Sequence, residues 1–585
     1  MLNERYKRIS WYIIIFAGLF AVFQTTSKFT FFYIEQTQLF LFSWPYIWEN
    51  LFQPGGFTLL IGEFLGQFYV LEYAGAIISA GAITLAGVLT SLLIHRISHS
   101  NNLVALPLLV VVSLLCISFD FNYNIQGTIS LILVLCSLLG YLKIEKIWPR
   151  MTYAATAVII LFLLAGPFHI LFAVCIVIWE ALTRQKYWYI VFATALLSVL
   201  ISYITMCYAL FYGEPRFAFL PIGYFSKGVP PQNNILLLTL PLAVIVAYLF
   251  RNSKSIRLKT EVVVIGVQLL IVIFLGWKGV DKYRINEFYD VLELDHYAHK
   301  EQWDKIIERA PKLHNNKLNM CNLNMALAQK GELLERMFSF EQHDAEGLVV
   351  LWDMTNHIAI LLSDISFTIG QISTAQEMAF ESSVINSFSN ARMLKRLVET
   401  NLIYGHYLTA EKYLKRMEKS LFYRKWAKEY RYFLYNDQAI ESDSLLGAKR
   451  TGLLPKDQNF LSSAISYQVL QKMVLNNPSN QKSLEYFVAL SLLSNNMALL
   501  KFIFENTFGT EALKELPICC QEAVLAIYGP GPEIISHYGI SEQVVDNFNR
   551  FDTARRLVRS RSSVTGLKQQ FGNTYWYYNV ISDKN

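Results

Sequence analysis

Glu35, Gln36 and Gln38 stand in the stretch FYIEQTQLF, residues 32–40, among aromatic and branched apolar side chains. A glutamate so placed is a candidate general base, able to take the proton of an acceptor hydroxyl. The two amides beside it can orient that acceptor, since each both donates and accepts hydrogen bonds. Glu35 and Gln38 are three apart and would share one face of a helix. Asp120 ends an apolar run, His169 follows the Gly166-Pro167 break, and Arg216 stands two residues after Glu214. A helix starting at Pro167 would aim unpaired N–H groups outward, an arrangement suited to a phosphate. Glu35, Asp120 and His169 are therefore candidate catalytic residues, and Gln36, Gln38 and Arg216 candidate substrate contacts. Ordinary solvated loop positions are the competing explanation for each.

Other chemistry finds little support. There is no P-loop, GxGxxG, GxSxG or HExxH pattern. His95 and His99 are four apart, and His296 and His299 three apart beside Glu293 and Asp295, but neither pair has a defined third ligand. No metal and no cofactor is expected. Of the seven cysteines, Cys116, Cys136, Cys175 and Cys207 fall in apolar runs. Cys321, Cys519 and Cys520 form no spaced framework, so no disulfide network is expected.

The elements that must position these groups follow from composition. The chain has 585 residues, 54% hydrophobic and 16% charged, with a mean hydropathy of +0.32. Residues 1–280 carry 17 Lys+Arg and 10 Asp+Glu, and the rest 34 and 35. Long apolar runs occur only in the first part. This composition predicts a polytopic membrane domain over 1–280 and a soluble domain over 281–585. Candidate spans are 10–31, 70–94, 102–119, 127–142, 152–166, 168–182, 187–212, 234–250 and 261–279. The basic N-terminal segment, with no small-residue cleavage site, reads as a signal anchor. Thirteen basic residues, from Arg5, Lys7 and Arg8 to Lys259, fall on one side, against Lys28, Arg216 and Lys227 on the other. The positive-inside rule places the first side in the cytoplasm, and an odd number of spans then places residues 281–585 outside. Basic charge that sets topology leaves no nucleic-acid partner to expect.

Two segments decide the count. Residues 152–182 would make one overlong helix, but Gly166-Pro167 predicts a hairpin of two short ones. Residues 28–52 are apolar, yet as a span they would bury Glu35 at mid-membrane and invert every later loop. They are expected instead in an outer loop, 32–69, with interfacial helices: Trp44, Tyr46 and Trp48 suit the headgroup zone, and Ser43-Trp44-Pro45 suits a helix start. Gly62 and Gly66, four apart, would permit close helix contact.

From about residue 285 apolar positions recur at helical spacing. NMALAQKGELLERMF and NLIYGHYLTAEKYLKRMEK each place small residues, a Gly-containing turn and an amphipathic second helix in the order of a tetratricopeptide (TPR) repeat; SLEYFVALSLLSNNMALLKFIFE is a third pair. Such pairs stack into a solenoid that binds peptides or proteins. The fold expected is thus all-α: a transmembrane bundle of about nine spans followed by a soluble TPR-like α-solenoid. The aromatic side chains of FGNTYWYYNV at the end are expected to pack on the last solenoid helix; with the basic RRLVRSRSS before them, an anionic membrane surface is the alternative.

Over nearly its full length, in IEQTQLF with QPGGF, the GPFH hairpin, NMALAQKGELLERMF and the closing FGNTYWYY, the chain resembles an uncharacterised family of polytopic membrane proteins from Bacteroidetes-type bacteria. That resemblance implies a Gram-negative inner membrane and a periplasmic soluble half. In architecture the chain is also similar to C-type (GT-C) glycosyltransferases, which carry an acidic residue in the first outer loop and use polyprenyl-phosphate sugars. Glu35-Gln36-Thr37 departs from their Asp-Asp or Glu-x-Asp pattern, so this resemblance implies a metal-free transferase with Glu35 as base. The competing expectation is a non-enzymatic scaffold binding envelope proteins through its repeats.

Overall fold

The structure is a computed structural model that describes residues 2–98, 103, 105–120, 122–184, 188–207, 219, 234–251, 258–454, 465–557 and 561–582. Among them the chain is helical and without strands, apart from one isolated β-bridge between Phe508 and Leu513. It divides into two units: Met1–Asn286 with Met417–Arg424, and Glu287–Arg416 with Lys425–Asn585. The short segment Met417–Arg424 thus folds with the first unit although its neighbours in sequence belong to the second.

The first unit begins with α1 (Leu2–Thr26), α2 (Lys28–Thr37), α3 (Trp44–Leu51) and α4 (Gly56–Gly66). There follow α5 (Ala74–Ser98), α6 (Leu106–Ile117), α7 (Ile125–Tyr141), α8 (Ile147–Ala165) and α9 (Phe168–Thr183), then α10 (Val191–Cys207), α11 (Thr239–Leu249) and α12 (Leu258–Tyr283). Each expected span contains a helix, but the lengths are unequal. Among the described residues four helices are long and apolar enough to cross a membrane: Ile9–Thr26, Ala74–Ser98, Ile147–Ala165 and Trp188–Cys207. α6 has 12 residues, a rise of about 18 Å against a hydrocarbon core of about 30 Å. Helix length therefore does not give nine uniform spans.

Local chemistry sets several boundaries. The expected first span, 10–31, stops five residues early. Thr25 and Thr26 hydroxyls bond back to carbonyls of the preceding turn, at 2.9, 3.0 and 2.6 Å, and Ser27 leaves helical backbone before α2 starts. Residues 28–52 form α2, an extended stretch and α3, not one helix. Along α3, Trp44, Trp48 and Phe52 make an exposed stacked row, with Trp44 71% and Phe52 73% exposed. The hairpin at Gly166-Pro167 is present between α8 and α9. The carbonyls left open at the end of α8 are taken up by the α4 entry: Gly55 N–H donates to Phe162 and Leu163, at 3.1 and 3.0 Å, and Thr58 Oγ1 to Leu164 at 3.1 Å.

The second unit runs through α13 (Asn286–His299), α14 (Trp303–Arg309), α15 (Lys317–Lys330), α16 (Leu333–Arg336), α17 (Asn356–Ile369), α18 (Ile372–Ile385), α19 (Ala391–Ile403) and α20 (Tyr407–Met417). It continues with α21 (Arg424–Tyr430), α22 (Asp437–Ser442), α23 (Leu446–Thr451), α24 (Tyr467–Asn476), α25 (Gln481–Leu493) and α26 (Met497–Thr507). The last helices are α27 (Ile518–Tyr528), α28 (Pro532–Tyr538), α29 (Glu542–Arg556), α30 (Arg561–Phe571) and α31 (Tyr575–Ser582). Helix pairs arise because Asn residues start the helices and glycines end them. Asn390, Asn480 and Asn496 side chains accept the N–H three residues on, and Gly331, Gly370 and Gly405 stand just past helix ends at φ of 72°, 93° and 73°. The pair drawn from NMALAQKGELLERMF is truncated, since α16 is one turn long and passes into a 3₁₀ turn. The aromatic tail is core: Tyr575, Trp576 and Tyr577 are buried among Phe338, Phe551 and Phe571.

Candidate functional site

Glu35 lies in the last turn of α2 with its side chain 5% exposed. Tyr423, from the segment Met417–Arg424, donates its hydroxyl to Glu35 Oε1 at 2.6 Å. Burial, and then the Glu35 carboxylate, push the Tyr423 phenol well above its usual range, which keeps the donor proton on its oxygen. Two further contacts hold the segment: Phe42 N–H donates to the Lys419 carbonyl at 2.7 Å, and the Phe422 ring meets Phe68 edge-on at 5.9 Å. A carboxylate so enclosed is held by the protein; an incoming hydroxyl has to displace Tyr423 to reach it.

Gln36 is buried beside Glu35, but Gln38 does not share the expected helix face. α2 ends at Thr37, whose hydroxyl bonds back to the Ile34 carbonyl at 3.0 Å, and Gln38 is extended at φ −127°, ψ 104°. Gln38 instead lines a cavity of about 30 Å³, space for the centre of one or two waters, together with Gly62, Gly66, Tyr69 and Tyr123. Its Oε1 accepts from Gln126 at 3.5 Å. Gly62 permits the close approach of α4 to α7: a β-carbon there would fall 2.4 Å from Gln126 Cγ. Glu63, on the same helix, is buried and accepts the Tyr46 hydroxyl.

Asp120 and His169 have surroundings of their own. Asp120 Oδ1 accepts the N–H of Asn122 at 3.0 Å, closing a turn at the end of α6. His169 is 0% exposed, with Nδ1 2.9 Å from the Gly166 carbonyl and Nε2 3.2 Å from that of Ser198. At the start of α9 the N–H groups of His169 and Ile170 turn back to Gly166 and Pro167, at 3.3 and 2.9 Å, so they do not present the outward phosphate site expected. Neither residue, nor Glu35, lines the cavity that takes in Gln38. Arg216 and His99 lie outside the described residues.

A buried charge pair escaped the reading of the sequence. Arg150, counted there as a loop cation, lies inside α8, with its Nη1 2.8 Å from Glu180 Oε1 on α9. The Tyr141 hydroxyl donates to the same oxygen at 2.8 Å, and Arg150 also donates to the carbonyls of Ile144 and Glu145 at 2.7 and 3.2 Å. A lone glutamate in VIWEAL was the available signal, since a charge in an apolar run needs a partner.

The second unit holds a larger cavity, about 320 Å³, between α13, α15, α17, α19, α23 and α25. Arg392 bridges Asp295, at 2.8 and 3.0 Å, and Asp364; Arg396 bridges Asp364 at 3.0 Å and Glu399 at 2.8 Å. His299 lines the same space and is driven well below its usual range by burial and by the Arg392 charge, so it is neutral. The lone Asp364 in the apolar SDISFT and the spacing of Arg392 and Arg396 were legible signals, but in sequence such a pattern also describes a solvated face.

A family of unknown function (DUF6057) has a model that matches residues 5–582, and the chain belongs to that family. No curated protein and no solved structure matches it.

Proposed function

We propose that this member of the family is a membrane-anchored binding protein, its apolar helices holding it in a Gram-negative inner membrane while its TPR-like helical domain docks envelope proteins in the periplasm. The observation that carries this reading is the contrast between the two units. The candidate residues Glu35, Asp120 and His169 of the first are engaged by the protein's own groups, whereas the second is built of helix pairs that leave Leu408, Tyr432 and Tyr435 exposed. Nine spans, four of them helices long and apolar enough to cross a membrane, with a cytoplasmic N-terminus, fit the basic loops and give the helical domain its periplasmic side. Membrane lipid is then the first partner and folded envelope proteins the second.

The test is cross-linking from the full-length protein in its membrane. Photo-reactive side chains at the exposed positions Leu408, Tyr432 and Tyr435 should give discrete protein adducts, and adducts to lipid alone would overturn the reading. Reporter fusions after residues 56, 100 and 285 should read outside, inside and outside.

A GT-C-like transferase acting on a polyprenyl-phosphate-linked sugar is the second reading. Its support is a carboxylate in the helix directly after the first apolar one, covered by a separate chain segment that could move aside. Unchanged glycan or lipid-linked product in Glu35→Gln cells would remove it.

A further inference from the structure

The 320 Å³ cavity of the second unit is unevenly balanced in charge. Its two arginines already have acids: Arg392 uses Asp295 and Asp364, and Arg396 uses Asp364 and Glu399. Its two lysines do not. Among the described residues neither Lys449 nor Lys482 forms an ion pair with a carboxylate. Lys449 Nζ donates to the Thr368 carbonyl at 2.8 Å, and Lys482 Nζ donates to Gln329 Oε1. Gln329 Nε2 in turn donates to Thr368 Oγ1 at 2.9 Å. The chain Lys482–Gln329–Thr368–Lys449 therefore fixes both ammonium groups on one wall, and each, with three N–H donors, retains two beyond its protein partner.

The rest of the wall supports a ligand with a small organic body. Trp303, Met325 and Phe367 supply apolar surface, and the Arg396 guanidinium carbon stands over the Phe367 ring, 3.6 Å from its centre. Arg396 Nε is buried without a hydrogen-bond partner. Burial, then Lys482 and Arg396, pull Lys449 down to about 7; burial pulls Lys482 down as well, against the opposing charges of Glu485 and Glu301. Glu301 also lines the cavity and Glu485 stands near Lys482, but among the described residues neither makes an ion-pair contact with a lysine, so two neighbouring ammonium groups keep donors that a bound anion can take up.

We propose that this cavity binds a small oxyanion-bearing solute, through a phosphate or carboxylate head seated on the ammonium groups of Lys449 and Lys482. This site is separate from protein docking: loss of oxyanion binding leaves the cross-linked adducts unchanged, and the reverse holds too.

The experiment is calorimetric titration of the full-length protein in detergent with inorganic phosphate and, separately, with succinate, each against sodium chloride at equal ionic strength. Saturable binding of one anion is expected, and which one identifies the head group. Lys449→Gln and Lys482→Gln should each weaken it by roughly tenfold or more, as loss of a charge-assisted hydrogen bond requires. Lys449→Arg should retain most of the affinity, and Lys312→Gln, on the exposed surface, all of it. Thermal unfolding of each variant separates lost binding from lost folding. Absence of saturable binding by either anion overturns the proposal, as does equal binding by the folded Lys→Gln variants.

Discussion

The Tyr423 hydroxyl sits 2.6 Å from Glu35 Oε1, across 388 positions of sequence, and both residues belong to one compact unit. The pair fastens the segment Met417–Arg424 to α2 and makes Glu35 a buried acceptor. Tyr423→Phe removes the donor and leaves a buried carboxylate short of a hydrogen bond, at a cost of about 1–3 kcal/mol. Glu35→Gln keeps an acceptor for Tyr423 and should cost less. Hydrogen exchange over residues 417–424 should rise clearly in Tyr423→Phe and little in Glu35→Gln; equal exchange in all three proteins would refute the link.

Gly62 and Gly66 should differ. An alanine at Gly62 places its β-carbon 2.4 Å from Cγ of the fully buried Gln126, whereas at Gly66 the nearest atom is Gln38 Oε1, 3.5 Å away. Gly62→Ala is expected to destabilise by about 1–3 kcal/mol, the usual cost of overpacking, and Gly66→Ala to be tolerated. Thermal unfolding of the two variants in detergent decides it.

The Arg150–Glu180 pair predicts an asymmetry. Glu180→Ala strands a buried guanidinium and should cost about 3–5 kcal/mol, while replacing both partners by apolar residues of similar volume should cost far less. Folded yield and melting temperature of the single and double variants measure this. Equal losses would mean the ion pair is not the reason for the burial.

Glu522 gives the second unit a pH dependence of definite sign. Burial raises its carboxyl to about 8, although Oε2 accepts the Tyr575 N–H at 2.7 Å. Between the ordinary value of 4.5 and about 8 the folded chain holds a proton that the unfolded chain has lost. Stability attributable to this group is therefore greatest at or below pH 4.5 and falls as pH rises towards 8. Glu485, raised to about 7 by burial, acts in the same direction. Glu522→Gln should flatten the decline and raise the melting temperature at pH 8 by roughly 2–4 °C per kcal/mol recovered. Melting curves at about pH 5.5 and pH 8 test it.

Sequence alone determined the features that rest on near neighbours. Apolar runs and helical periodicity marked the helices, because burial of one face needs only local spacing. Gly166-Pro167 marked the hairpin, because proline cannot continue a helix. The glycines after α15 and α19 marked helix ends, because those positions need the left-handed backbone. Tertiary structure alone decided which polar groups meet. Glu35 looked available as a base because nothing near it in sequence covers it, and Tyr423, far along the chain, does. Arg150 looked like a loop cation because its partner is 30 residues away on the other arm of a hairpin. The cluster of Arg392, Arg396, Lys449 and Lys482 is drawn from three helices, and whether a charge faces water or a cavity depends on how those helices pack. Spacing along one chain carries no information about that packing; it is settled by the shapes and burial of side chains that meet only when the chain folds.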